Sequence, residues 1–268
     1  MRLDKYLAEA AVGTRKLVRN YVKEGKVTLN GLPVFEPAIE IDKNKDIIKY
    51  LGEAVTHTGK CYFMFFKPGG CVTARKDQDN RTVLDYFGPE LQKGLFPVGR
   101  LDKDTEGFLL LTNDGEFSHG LMHPTQHVEK TYFFWAIGSL DEKALLDLKA
   151  GVRIGAEEGL AKAIKIAVKE QGLYQDLKGN MNYANVKDIR MNPSGQPVVS
   201  GYLTISEGRK HQVKRMLKAV GCYVVYLKRI SIGGVFLDET LVKGQYRELT
   251  IEEIKALSMV EIHESDIR

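Results

Sequence analysis

An arginine and two acids, Arg100, Asp102 and Asp104, sit in the stretch V-G-R-L-D-K-D-T-E-G and run straight into the apolar Phe108-Leu109-Leu110-Leu111. A carboxylate beside a cation can act as nucleophile, base or stabiliser of positive charge, provided something holds it still. The apolar run is bounded by Gly107 and by the turn signal Asn113-Asp114-Gly115, so it reads as a buried strand. A rigid strand then anchors a loop that carries the charges, a common setting for chemistry. On spacing alone, a solvated loop with a local salt bridge remains open.

A second cluster follows in S-E-G-R-K-H-Q-V-K-R-M-L, where Arg209, Lys210, Lys214, Arg215 and Lys218 share one segment without an acid. Val213, Met216 and Leu217 give it a helical apolar face, and Lys228 and Arg229 follow the apolar V-V-Y-L. A third lies at the N-terminus. There Arg2, Lys5, Arg15, Lys16, Arg19, Lys23 and Lys26 outnumber Asp4, Glu9 and Glu24. Such a surplus can neutralise nucleic-acid phosphates, though most charge runs are solvated faces. The net charge of +4 is too small to decide between these, so local clustering must. His119, His123 and His127 fall at four-residue intervals, but Pro124 breaks the helix a metal pair would need and no carboxylate motif accompanies them. They read as surface or RNA-facing histidines, and no metal site is expected. Gly69-Gly70 lacks the G-x-x-x-x-G-K-[ST] context of a nucleotide loop.

The positioning elements can be read around these clusters. Leu3, Tyr6, Leu7, Ala10 and Ala11 share a helical face, and after Gly13 a second helix starts behind a Thr14 cap. Asn30-Gly31 between short apolar runs is a hairpin signal. The polar stretch 51–60 reads as a linker between a basic module, residues 1–56, and a larger domain, residues 57–268. In the larger domain C-Y-F-M-F-F-K-P reads as a buried strand and turn, Tyr132 to Ile137 as another, and 161–168 and 198–205 as two more. Ser139-x-x-Glu142 and Thr250-x-x-Glu253 read as capping boxes, with Gly151 closing the first helix. Residues 171–197 are polar and rich in Gly, Asn, Lys and Tyr, and read as a hairpin extension. Three scattered cysteines fit neither a metal site nor a disulfide framework and point to a reducing cytoplasm. The N-terminal M-R-L-D-K has no apolar signal core, and no apolar run is long enough to span a bilayer.

G-R-L-D-x-x-T-x-G followed by L-L-L-T-N-D-G resembles the catalytic signature of pseudouridine synthases, specifically the RsuA-type family that modifies ribosomal RNA. The K-P-x-G-x-V at 67–72, the K-T-Y at 130–132 and E-G-R-x-H-Q-V-K-R-M with L-x-R-x-x-I-G-G resemble further motifs of the same family. The N-terminal pattern R-L-D-K-Y-L…G-x-x-T-R…V-x-x-G-x-V-x-x-N-G is similar to the small RNA-binding domain shared with ribosomal protein S4. The resemblance implies an α+β protein, with that module followed by a synthase domain built on a mixed, mainly antiparallel sheet. It implies an isomerase that detaches uracil from its ribose at N1, turns it and rejoins it through C5, with no cofactor. Asp102 would be the reacting carboxylate, Lys214 its cation and Tyr132 the aromatic wall for a flipped uridine. Arg100, Arg209, Lys210, Arg215, Arg229, Arg2, Lys5, Arg15, Lys16 and Arg19 would contact RNA. The implied partner is rRNA or a ribosomal assembly intermediate, more specifically the small subunit, acted on by a monomer. A large-subunit synthase and a non-catalytic ribosome-assembly protein are the alternatives.

Overall fold

The computed structural model describes residues 1–10, 12–55, 59–155, 159–181 and 195–258. The N-terminal unit opens with α1 (Leu3–Glu9) and α2 (Arg15–Lys23). The Thr14 side chain accepts from the Leu17 amide and so caps α2, as its position predicts. Leu3, Tyr6, Leu7, Val18 and Val22 pack on Val27, Ile41 and Ile48. The strands β1 (Val27–Leu29), β2 (Leu32–Pro33), β3 (Ile48–Tyr50) and β4 (Glu53–Ala54) form one antiparallel sheet in the order β2-β1-β3-β4. Asn30 and Gly31 both take positive φ, 52° and 87°, which a two-residue turn matched to strand twist requires.

The linker expected over 51–60 is corrected in its first half. Leu51 and Gly52, at φ 50° and 87°, turn β3 into β4, and Lys49 pairs with Ala54. Val55 then packs on the unit's core and its carbonyl accepts from the Tyr6 hydroxyl at 3.0 Å. Polar composition hid a hairpin whose turn needs Gly at positive φ. The boundary expected between residues 56 and 57 lies outside the described residues.

The second unit is built on β5 (Tyr62–Lys67), β6 (Phe96–Val98), β7 (Glu106–Thr112), β8 (Lys130–Ile137), β9 (Lys165–Leu173), β10 (Pro197–Ile205), β11 (Tyr223–Ile232), β12 (Val235–Phe236) and β13 (Tyr246–Glu248). Their order is β13-β5-β7-β11-β8-β10-β9, with β6 beside β7 and β12 beside β11. Every pairing is antiparallel except β7 with β11, which run parallel and touch only at Glu106↔Lys228 and Gly107↔Arg229. The sheet is thus mixed and mainly antiparallel. All of β5 and β7 is buried, because both faces are covered. Phe63, Phe65, Leu109 and Leu111 enter one core with Tyr132, Leu203 and Leu227, while Tyr62, Met64, Phe66, Phe108 and Leu110 enter another with Ile254 and Leu257.

The helices α3 (Pro89–Gln92), α4 (Gly115–Met122), α5 (Glu142–Ala150), α6 (Tyr174–Leu177), α7 (Gln212–Ala219) and α8 (Ile251–Leu257) flank this sheet. Thr250 and Glu253 form the expected capping box on α8. The box expected at Ser139 is corrected. Asp141 is the cap of α5 and accepts from the Ala144 amide, which leaves Glu142 as the first helical residue. β9 and β10 pair out to Leu173↔Pro197, so the extension does sit on a hairpin. Its described part is less solvated than its composition implies, since Met181 packs with Trp135, Val198 and Tyr226. Residues 182–194 of the extension lie outside the described residues.

Gly107 is the point where the two halves of the sheet meet. Its φ is +103°, and an added Cβ would collide with the backbone carbonyl of Arg229. Gly107→Ala is therefore expected to cost roughly 3 kcal/mol, from backbone strain plus the displaced strand. Urea unfolding checks this, and a loss below about 0.5 kcal/mol would show that the strands can separate freely.

Candidate active site

The loop between β6 and β7 holds Arg100, Asp102 and Asp104, and it is fixed from beneath. The Thr73 hydroxyl donates to the Leu101 carbonyl at 2.7 Å and accepts from the Leu101 amide at 3.2 Å, which clamps the residue before Asp102 on both sides. Lys67, at the end of β5, is 0% exposed. Its ammonium donates to the carbonyls of Pro68, Lys103 and Thr105 at 3.0, 3.2 and 2.9 Å. Burial lowers its pKa, with nearby acids acting in the opposite direction. The Gly70 amide adds a bond to the Lys103 carbonyl at 2.8 Å. The loop backbone is therefore held from inside at Leu101, Lys103 and Thr105, while Asp102 and Asp104 face Lys214.

Asp102 lines a cleft with Arg100, Thr105, Tyr132, Ile205 and Leu227. The Thr105 hydroxyl is buried at its wall and has no partner among the described residues. The far side of the cleft is the start of α7. Val213, Met216 and Leu217 bury its apolar face, which brings Lys214 over the loop. Lys214 Nζ lies 3.6 Å from Asp102 Oδ2 but 2.6 Å from each oxygen of Asp104. The expected cation for Asp102 is thus shared, and the closer contact goes to its neighbour. Burial raises the Asp104 pKa, but the Lys214 hydrogen bond and charge outweigh this and hold it below the usual carboxylate value. His211, held at φ 52° ahead of α7, places Nε2 3.5 Å from Asp102 Oδ1. A carboxylate in a cleft with an apolar wall can attack an electrophilic carbon or stabilise positive charge there.

Tyr132 is 8% exposed, so it is both a core aromatic and a wall of the cleft. Behind it lies Arg229, whose Nε donates to the Phe108 carbonyl at 2.7 Å and whose Nη1 donates to the Tyr132 hydroxyl at 3.5 Å. Among the described residues, no group of three or more His, Cys, Asp or Glu is placed to hold a metal ion. The His119 and His123 rings instead meet edge to face at 5.3 Å.

Residues 61–219 match the family model described as RNA pseudouridylate synthase, and residues 1–47 match that of the S4 domain. The chain belongs to the RNA pseudouridine synthase family. An uncharacterized RNA pseudouridine synthase of Bacillus subtilis, YtzG, is 42% identical over 96% of this chain and 98% of its own length. The ribosomal small subunit pseudouridine synthase A of Haemophilus influenzae is 36% identical over 96% and 99%, and the ribosomal large subunit pseudouridine synthase B of B. subtilis is 36% identical over 98% and 97%. A crystal structure of a pseudouridylate synthase, 34% identical, superposes with a TM-score of 0.62 over 96% of this chain and all of its own. As a member of this family the chain is an isomerase with an RNA substrate.

Several residues expected to contact RNA in this synthase are committed elsewhere. Arg229 is 3% exposed and cannot reach a backbone phosphate at the surface. The Arg209 guanidinium is tied to Glu207 and to the carbonyls of Gly159 and Leu160, and that of Arg215 to the carbonyls of Ile154 and Lys210. These cations fasten the segment carrying Lys214 to the body of the protein. Lys5 pairs with Glu116 of the synthase domain at 2.6 Å, and Arg2 forks onto Asp4. Arg100, Lys16 and Lys210 remain exposed, as do Arg15 and Arg19 at the rim of Asp4. Sequence reasoning missed Lys67, Thr73 and His211 as site residues. Lys67 and His211 stood within quoted motifs, whereas nothing marked Thr73.

Lys130, two residues before Tyr132, donates to the Val128 carbonyl at 2.8 Å. Burial, helped by the neighbouring Arg229 charge, lowers its pKa from 10.5 to about 8. Between those values the unfolded chain keeps a proton that the folded chain has lost, so this residue makes stability rise with pH from about 8 towards 10.5. Lys130→Met is expected to remove a rise on the order of 2 kcal/mol from urea unfolding measured between pH 7 and 10. Identical pH profiles for variant and parent would refute the assignment.

Proposed function

We propose that this synthase isomerises a specific uridine of small-subunit (16S) rRNA, with Asp102 as the reacting carboxylate. The observation that carries the reading is the convergence of Asp102, Tyr132 and Lys214 from three distant segments. Asp102 and Tyr132 line one cleft and Lys214 lies within 3.6 Å of Asp102. A protein that only bound RNA would not need all three. The uridine leaves its stack and lodges against Tyr132, which supplies an apolar face. Asp102 assists cleavage of the glycosidic bond, a step with a poor leaving group for which a carboxylate is suited. Lys214 places a positive charge beside that carboxylate. Arg100, exposed at the cleft mouth, takes the space vacated by the flipped base and meets phosphate. The base turns, its C5 bonds to the sugar carbon, and a proton leaves C5 while N1 gains one, so nothing is oxidised or consumed.

The small-subunit target is supported by the synthase A relative from H. influenzae, which aligns over 99% of its own length. The partner is rRNA or an assembly intermediate, bound by a monomer in the cytoplasm. The basic module of residues 1–56 supplies affinity and residues 57–268 supply chemistry. Among the described residues no helix is long and apolar enough to cross a membrane. Chemical mapping of pseudouridine in rRNA from a deletion strain tests the target. One pseudouridine lost from 16S rRNA is expected, and a loss confined to 23S rRNA would favour the large-subunit activity of the B. subtilis relative.

Asp102→Asn preserves shape and removes the charge. Turnover, read as tritium release from uridine labelled at C5, is expected to fall by about four orders of magnitude or more, while RNA binding persists. Asp104→Asn is expected to be far milder. The reverse ranking would transfer the chemical role to Asp104.

A further inference from the structure

Asp4 is an acid in the middle of the basic N-terminal unit, and its carboxylate is 0% exposed. Three arginines surround it. Arg2 forks onto it through Nε at 3.1 Å and Nη2 at 3.0 Å. Arg19 reaches it through Nε at 2.7 Å and Arg15 through Nε at 3.4 Å. One guanidinium would neutralise a buried carboxylate, so the cluster carries a surplus of positive charge. Arg15 and Arg19 sit four residues apart on one face of α2. Both are gripped by Nε alone, and their terminal amino groups have no partner among the described residues. Their side chains remain 53% and 47% exposed. A free arginine loses considerable rotamer entropy on binding, and here that loss is already taken in the fold.

We propose that Asp4 is a positioning residue for RNA. It holds Arg15 and Arg19 from behind, so that their outward amino groups form a two-guanidinium clamp for a backbone phosphate. The planar fork of each guanidinium matches phosphate oxygens, and a fixed pair binds more tightly than two mobile charges. This rests on the RNA-binding reading of the N-terminal unit and adds to it an acid that promotes binding to a polyanion.

That makes the sign of the effect diagnostic. Plain electrostatics says that removing a negative charge from a basic surface tightens RNA binding. Asp4→Asn and Glu24→Gln each remove one such charge, and Glu24 touches Lys26 rather than these arginines. Filter binding of the full-length variants to transcribed 16S rRNA across a potassium chloride series separates the cases. Glu24→Gln is expected to bind as tightly as the parent or more so, whereas Asp4→Asn is expected to bind on the order of tenfold more weakly. Equal or tighter binding by a folded Asp4→Asn protein overturns the proposal. If its melting curve shows that Asp4→Asn is unfolded, the double variant Arg15→Lys with Arg19→Lys decides. It keeps both charges, but a lysine has one nitrogen and cannot face Asp4 and a phosphate with separate groups. Loss of several-fold affinity supports the clamp, and affinity within twofold of the parent overturns it. Failure of the parent itself to retain any rRNA would instead count against the RNA-binding reading on which the clamp rests.

Discussion

A single buried ammonium holds the loop that bears Asp102 and Asp104 in place. Lys67 has no solvent contact, and its donors go to the carbonyls of Pro68, Lys103 and Thr105. Two of those carbonyls flank Asp104, so the turn bearing both acids is tied to the end of β5. An unpaired buried charge is very costly, and only a complete set of acceptors makes it tolerable. The dependence runs both ways, because the Thr105 carbonyl would lose its bond to the ammonium if Lys67 were removed. Thr73 closes the remaining freedom at Leu101. The loop is then held without calling on the Asp102 side chain, which faces the cleft.

The location of the cleft follows from the one parallel contact in the sheet. β7 and β11 are in register for only two residue pairs, and Gly107 lets their backbones close there. Beyond that point the strands part. The gap, which adjoins the Asp102 cleft, is bordered by Asp104 and Glu106 on one side and by Val224 to Leu227 of β11 on the other. The loop bearing Asp102 and Asp104 and α7 close over it, and this is how residues more than a hundred positions apart, such as Asp104 and Lys214, come into contact. A continuous antiparallel sheet would leave no such opening between its central strands.

Much of this was legible in the sequence where the signal is local. Asn30-Gly31, Thr14, the Thr250 capping box and the apolar runs of β5 and β7 each depend on a few adjacent residues. The motif wording gave the family, and the resemblance singled out Asp102 and Tyr132, which the fold brings to one cleft. What stayed hidden depends on partners far along the chain. Lys67 at the end of an apolar run looks like a strand terminus, and only the fold reveals three carbonyls around its ammonium. Asp4 looks like one acid diluting a basic surface, whereas in the fold it organises that surface. Arg209, Arg215 and Arg229 look like phosphate ligands, yet Arg209 and Arg215 are bonded to protein acceptors and Arg229 is buried. An arginine's sequence position reports its charge but not whether its donors are spent.

The unequal sharing of Lys214 bears on why two acids stand where one is proposed to react. A carboxylate tightly bonded to an ammonium has its lone pairs engaged, which lowers its reactivity along with its pKa. In this fold Asp104 takes the short bonds at 2.6 Å, and Asp102 lies at 3.6 Å from the lysine and 3.5 Å from His211, outside good hydrogen-bond geometry. Asp102 therefore lies in the field of the cation while its oxygens remain free for a substrate. Asp104, mostly exposed, bears the cost of holding Lys214 still. On this view the second acid of the motif holds Lys214 in place and leaves the oxygens of the first uncommitted, a division of labour that one aspartate paired directly with one lysine could not provide.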